Sequence, residues 1–273
     1  MKSTITNLAK EIKILLRSIP SFVVAAYIVA IISMNLLANK LVPLPMEYLV
    51  IDCGIFVSWA VFLTMDVVTR HFGPRAATIL SVMALIVNLF VALLFYGCGH
   101  LPGIWGESYV EGSENIINTA LDNTLSGNWF IVFGSSVAFL TSAVINNFLN
   151  FFIGKGIEKD VAGSKVTSIS KGKKKNFGTY AVRSYVSTFI GQFADNLVFA
   201  LIVSHTLFGL SLAQCFICAA TGAAAELLFE VVFSPIGYAI TSNWEKDGVG
   251  SEYFRFVEST RKEKGTELSK QAS

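Results

Sequence analysis

Charge is scarce along this chain, and most of it keeps to the ends and loops. Asp, Glu, Lys and Arg make up only 15% of its 273 residues, against 53% hydrophobic. A soluble domain carries about 25% charged residues. So little charge, with a mean hydropathy of +0.59, excludes a soluble domain and predicts a polytopic membrane protein. Cysteine is also sparse. Of Cys53, Cys98, Cys215 and Cys218, three fall inside apolar segments, so no disulfide framework is implied. Cys215 and Cys218 form a CxxC, but within a hydrophobic helix rather than a soluble redox turn. The three histidines, His71, His100 and His205, sit near helix ends or in loops. There is no HExxH, no GxSxG and no GxGD pair, so no nucleophile–base pair is visible and an enzyme is not expected. A Walker A sequence is missing too, and no cytosolic segment is large enough for an ATPase. No internal repeat is evident. A cleavable signal peptide is not expected, because the first long apolar run starts only after residue 19 and is too long for one.

The placement of the cations gives the topology. Twenty of the 21 lysines and arginines fall in four segments: residues 1–19, the turn holding Arg70 and Arg75, residues 155–183, and residues 246–270. Only Lys40 lies elsewhere. By the positive-inside rule this predicts an all-α integral membrane protein of six transmembrane helices with both termini cytoplasmic. The expected layout is a cytoplasmic amphipathic segment (1–19), a six-helix transmembrane domain (20–240) and a cytoplasmic tail (241–273) that is polar and partly disordered. Within residues 4–19, Ile5, Leu8, Ile12, Leu15 and Ile19 keep one face apolar while Lys10, Lys13 and Arg17 serve the other, the pattern of a helix lying on the membrane surface.

The expected spans are about 20–37, 48–68, the stretch from Pro74 to about 96, 129–153, 183–202 and 212–240. Polar residues mark most of them. Asn35 and Asn39, one turn apart, end the first and either bond a ligand or tie helices together. Asp52 is expected near the outer end of the second span. Asp66 near its inner end is spaced to pair with Arg70. The loop at 98–128 holds Glu107, Glu111, Glu114 and Asp122 with no lysine or arginine, and 115–125 suits a short surface helix. Asn146, Asn147 and Asn150 cluster late in the fourth span. Carboxamides are costly in lipid, so they are expected to face the bundle. The lysine-rich loop 154–178, ending in KGKKK (Lys171 to Lys175), reads as a topology determinant with weak attraction to anionic lipid, not a nucleic-acid site.

The fifth span, RSYVSTFIGQFADNLVFALI (Arg183 to Ile202), is the informative one. Asp195 lies twelve residues past Arg183, roughly 18 Å along a helix and close to the middle of a hydrocarbon core about 30 Å thick. An aspartate there costs roughly 2.5–3.5 kcal/mol and needs a protein-lined or wet site. Thr188, Gln192, Asp195 and Phe199 share one face, beside a small-residue stripe of Ser184, Ser187 and Gly191. Two readings follow: a polar substrate site inside the bundle, or an aspartate that bonds a neighbouring helix. In the sixth span Glu226 and Glu230 stand one turn apart, so either one is protonated or a cation lies nearby. Pro235 is expected to bend that helix.

Several of these pieces together resemble the VUT family of membrane proteins, the queuosine precursor transporters. The likeness covers most of residues 30–240. It rests on NLLANK (Asn35 to Lys40), Asp52, DVVTRHFGPRAA (Asp66 to Ala77), FLN (Phe148 to Asn150), RSYVSTFIGQFADNLVF (Arg183 to Phe199), and a glutamate five residues before a proline (Glu230, Pro235). The resemblance implies a six-helix importer of 7-deazaguanine bases in a bacterial cytoplasmic membrane. The chain departs from the family pattern at Met65-Asp66 and Arg70, where an Asn-Asp and then a glutamate are usual. It departs again at Glu226, where a lysine is frequent. The departures lead to the expectation of a charge pair between Arg70 and Glu226 with its sign reversed.

The guanine edge of such a base offers adjacent N–H donors. A carboxylate accepts two parallel bonds from such an edge, amides read mixed edges, and aromatic rings stack on the face. The expected substrate-binding residues are therefore Asp195 with Gln192, then Glu230, Asn150, Asn35 and Phe199, with Phe193 and Trp59 as further stacking candidates. Asp52, Asp66, Arg70 and Glu226 are assigned to gating or charge pairing. No cofactor, metal ligand or catalytic residue is expected. The expected partners are a small planar nucleobase-like substrate and the lipid bilayer. A homo-oligomer or a separate ATPase module stays open, the latter because size and helix count also suit the substrate-binding subunit of an ATP-driven vitamin or nucleobase importer.

Overall fold

A computed structural model describes residues 2–45, 49–105, 114–162 and 189–260, with the side chains of 2–6, 114–115, 143–144 and 146–162 outside that description. The protein is helical almost throughout. In chain order the elements are α1 (Lys2–Ser18), α2 (Ser21–Leu37), β1 (Leu41–Pro43), β2 (Val50–Asp52), α3 (Ile55–Phe72), α4 (Pro74–Cys98) and α5 (Glu114–Ala162). There follow α6 (189–199), a π-helical turn (Ala200–Ser204), α7 (His205–Phe208) and α8 (Leu212–Lys246). Last comes α9 (251–260). Among the described residues, five helical stretches are long and apolar enough to cross a membrane: α3, α4, 116–142 of α5, Phe189–Phe208 and α8. Taken with α1 across a 104° bend, α2 makes a sixth. The all-α membrane fold expected from the sequence is the fold observed. An 18-residue helix such as α3 is about 27 Å long, close to the hydrocarbon thickness.

Local chemistry sets the breaks. Pro20 ends α1 and opens α2, its carbonyl accepting from Val23 N at 2.9 Å. Gly73, at φ 91°, closes α3 in the left-handed region that glycine enters without strain. Pro74 then starts α4, its fixed φ suiting the first helical turn. Gly209, at φ 66°, caps α7 in the same way.

The second span starts later than its hydropathy indicates. The sequence reading began a helix near Tyr48, but β1 and β2 form a short antiparallel hairpin with Leu41 opposite Asp52. The run LVID is apolar enough to extend a membrane helix. Asp52 stops it by turning its Oδ1 onto the backbone N of Gly54 at 2.8 Å, a local bond that competes with helix and caps α3. The fourth span differs as well: the surface helix expected at 115–125 is the start of the continuous α5. Pro235 lies inside α8, which runs on past it to Lys246.

The chain divides into two compact units. The first comprises residues 1–34, 56–91 and 232–273, the second 35–55 and 92–231. The core of the first holds Leu15, Ile19, Val68, Phe72, Trp244 and Tyr253, with Tyr27, Ala76 and Leu80 also buried in it. The apolar stripe of α1 packs Leu15 and Ile19 into protein, and its one acid, Glu11, is 6% exposed and accepts from Arg75 Nη2 at 2.7 Å. The tail after Thr241 is ordered as far as α9. His71 Nε2 meets Val249 O at 2.9 Å, Phe254 stacks on Phe72, and Lys10 Nζ sits 5.8 Å from the Phe256 ring centre. Within α9, Tyr253 is buried in the core and Phe254 stacks on Phe72, apolar contacts that the polar composition of the tail does not announce.

The second unit has two smaller cores. Ala38, Ile131 and Val203 form one, with Phe199 against them. Ala200, Leu210 and Cys215 form the other. Large apolar side chains such as Phe22, Ile86, Phe90 and Tyr238 are exposed, as expected of lipid-facing positions.

Candidate functional site

The polar groups that α6 carries lie in the second unit. Gln192, Asp195 and Asn196 sit within five residues, at i, i+3 and i+4, so a single helix face presents all three. Asn196 Nδ2 donates to Glu226 Oε2 on α8 at 3.1 Å. Gly222, one turn before Glu226, lets this happen: a Cβ there would stand 3.0 Å from Asn196 Nδ2. Across from α6, the Ser142 hydroxyl of α5 is a hydrogen-bond partner of the Asp195 carboxylate, its single proton being shared with Phe139 O at 3.1 Å. Among the described residues, the charged groups close enough to act on Glu226 are Asp195 and Asp52. Three helices and the β-hairpin thus bring three carboxylates into one region, supported by neutral donors.

One atom in this region is unaccounted for. Gln192 Oε1 is fully buried and has no hydrogen-bond partner in the protein. A buried acceptor without a donor costs about 1–3 kcal/mol, and most such groups in native structures are paired. Ser18 Oγ, at the α1–α2 bend, is the other buried side-chain oxygen in this condition among the described residues.

The other predicted site residues divide as follows. Glu230 is half-buried on α8 one turn past Glu226, and Asn35 is buried at the end of α2. Both belong to the second unit. Phe199 packs against the Ala38–Ile131–Val203 core, and Phe193 against Phe216 at 5.2 Å between ring centres. Asn39 ties α2 to α5, its Nδ2 donating to Asn128 Oδ1 at 3.0 Å. Trp59 belongs to the first unit, its ring stacked at 4.6 Å on Phe233. Asp66 and Arg70 form the expected pair at 2.9 Å, also in the first unit. Arg70 has a carboxylate on its own helix, and Glu226 accepts from a neutral amide on α6. The side chain of Asn150, the lysine-rich loop and Arg183 to Thr188 lie outside the described residues.

The CxxC makes hydrogen bonds, not a disulfide. Cys215 Sγ donates to Ala200 O at 3.5 Å and Cys218 Sγ to Val50 O at 2.9 Å, the second pinning the hairpin to α8. Among the described residues no group of three His, Cys, Asp or Glu has the geometry of a metal site.

Sequence reasoning missed Ser142, Asn196 and Gly222. Asn196 had a signal, since it follows Asp195 directly and shares the Gln192 face at i+4. Ser142 and Gly222 had none, because a serine or glycine in a membrane helix is ordinarily a packing residue.

No curated protein and no solved structure matches the chain. Residues 52–240 match the profile of a family described as "Putative vitamin uptake transporter". That segment contains α3 to α6, most of α8 and every residue of the Asp195–Glu226 region. Since it covers well over half of the chain, the protein belongs to this family of membrane transporters.

Proposed function

We propose that the protein imports 7-deazaguanine bases, the precursors of queuosine, across a bacterial cytoplasmic membrane, and that the Asp195–Gln192 face of α6 binds the guanine edge of the base. The observation that carries this is the buried, unpartnered Gln192 Oε1 one helical turn from Asp195. A guanine edge presents two adjacent N–H groups. An acceptor pair made of a carboxylate and an amide oxygen takes both, and the bond that Gln192 lacks in the protein is then supplied by the substrate. Asn196 and Glu226 extend the same polar region. Family membership supports uptake of a small molecule; the base is the finer reading.

The test is rescue of tRNA queuosine in cells unable to make its precursors. Cells expressing the intact chain and fed 7-cyano-7-deazaguanine, its aminomethyl analogue or queuine regain queuosine; cells expressing Asp195→Asn do not. Rescue by both proteins demotes Asp195 to a packing role. No rescue with any of the three bases, with the protein verified in the membrane, refutes the substrate class.

A further inference from the structure

We infer that the π-helical turn at Ala200–Ser204 is a positioning element for the polar face of α6: its one extra residue sets the rotation that brings Asn196 to Glu226, and Gln192 and Asp195 round with it. That this face binds a base is the reading proposed above, and only the binding arm of the test rests on it. The chain from Phe189 to Phe208 is one span. Within it the backbone N of His205 bonds Ala200 O, five residues back rather than four. Turns of this kind are rare, occur mostly as single insertions inside α-helices, and are frequent at functional sites. An α-helix advances about 100° and 1.5 Å per residue. The residues before the turn are therefore rotated by about 100° from where an unbroken α-helix with the same downstream packing would put them. Asn196 lies four residues before the turn. Its Nδ2 reaches Glu226 Oε2 at 3.1 Å, passing Gly222, where a Cβ would stand 3.0 Å from the same nitrogen. A rotation of that size carries Asn196 off this contact.

Two neighbouring helices are shaped for the wide turn. On α5, Gly134 leaves room for it: a Cβ there would collide with Val203 Cγ2 and stand 3.3 Å from Ile202 Cγ2. From α8, Cys215 Sγ gives Ala200 O a second donor at 3.5 Å. Val203 is buried in one core of the second unit and Ala200 in the other. Both cores thus fix the turn, so the extra residue is taken up by rotation of the chain before it.

The experiment deletes Leu201, an exposed residue of the turn, from the full chain. A second chain combines that deletion with an alanine inserted between Leu197 and Val198, which moves the extra residue one turn upstream and restores the rotation of everything before it. In each background Asn196→Ala, Glu226→Ala and the pair are melted in detergent as a double-mutant cycle. The parent shows a coupling of about 2–4 °C, the Leu201 deletion none, and the compensated chain about the parent's value. Coupling that persists in the deletion, or is missing from the parent or from the compensated chain, overturns the inference. If the Leu201 deletion does not fold, the compensated chain decides alone: its coupling supports the inference and the loss of it overturns it. Binding of 7-cyano-7-deazaguanine to the same proteins falls at least about tenfold on deletion and recovers in the compensated chain. Unchanged binding in a deletion that has lost the coupling overturns the role of the turn in binding. Binding by none of the proteins, the parent included, refutes the base as substrate and leaves the melting cycle to decide the turn.

Discussion

Removing Arg75 strands a carboxylate. Glu11 is 6% exposed, and its Oε2 takes Arg75 Nη2 at 2.7 Å. The Tyr253 hydroxyl is its second partner. These three residues link α1, the start of α4 and α9, so the two ends of the first unit's sequence meet on one carboxylate. Breaking a fully buried pair costs about 3–5 kcal/mol, whereas an exposed pair is worth about 0–1 kcal/mol. This pair is mixed: the arginine side chain is 68% exposed and the glutamate 7%. Tyr253 remains after the change, so Arg75→Ala is expected to cost roughly 2 kcal/mol, between those limits. Removing both charges, in Glu11→Leu/Arg75→Ala, restores most of that loss, because no buried charge is left behind. The assay is thermal unfolding of the two single variants and the double variant in detergent, read as a double-mutant cycle. The single Arg75 variant should lose on the order of 5 °C, with the double variant close to the parent. Additive losses, or an Arg75→Ala variant indistinguishable from the parent, would refute the view that the pair matters through the buried Glu11.

Alkaline pH probes the same node. Burial, and then the nearby Glu11 charge, hold the Tyr253 hydroxyl above its usual value of 10.0. The folded state therefore keeps the proton longer than the unfolded one, and stability falls as pH rises past 10 toward the folded value; Tyr253→Phe removes that slope in a pH series of melting temperatures. Gly250 and Gly248 separate strain from collision. Both have φ in the left-handed region, 84° and 65°, but a Cβ at Gly250 would run into the Phe72 ring while one at Gly248 meets open space. Gly248→Ala should cost about 1 kcal/mol and Gly250→Ala about 3 kcal/mol in the same melts, and equal losses would leave the collision without weight. Gly222→Ala pushes Asn196 away from Glu226, and uptake assays should show a loss of about 3- to 10-fold in apparent affinity, since a typical hydrogen bond is worth about 0.5–1.5 kcal/mol; Gly127→Ala, with nothing within 4 Å, is the control that should leave uptake unchanged.

The fold was legible where one physical signal dominates. Hydropathy and the placement of lysine and arginine located the membrane helices, because the bilayer imposes length and sign on every span. Gly73-Pro74 and Gly209 marked turns for the same kind of reason: only certain residues fit that backbone. The signal fails where a short-range bond competes with a long-range pattern. At 49–52 the composition reads as helix, and the Asp52 side chain bonded to Gly54 makes it hairpin and cap. At 251–260 the composition reads as a solvated tail, yet Tyr253 is 2% exposed because Phe72, Trp244 and Phe254 form a core that no local window contains. For the candidate site, periodicity grouped Gln192, Asp195 and Phe199 on one face. It did not tell that Phe199 would turn to the Val203 core, nor which helix would face Asp195. Those depend on contacts such as Ser142 with Asp195 and Asn196 with Glu226, which are separated by 30 residues or more in sequence.

The two units treat the same side chains in opposite ways, and that contrast bears on what Asp195 and Glu226 are for. In the first unit two acids have a cation: Glu11 has Arg75 and Asp66 has Arg70. Tyr27 and Ser81 bond each other at 3.1 Å, and Ser81 reaches Met65 Sδ at 3.2 Å. In the second unit, among the described residues, Asp195 and Glu226 have amide and hydroxyl partners, and the charged neighbours of Glu226 are other acids. If these carboxylates served only to hold helices together, the pairing used in the first unit would do it at lower cost, since a buried charge without a counter-charge is the more expensive arrangement. A packing role also leaves Gln192 Oε1 unexplained, because a leucine would fill the same volume without an orphaned acceptor. A substrate that brings N–H donors, as proposed above, would supply the bond that Gln192 Oε1 lacks.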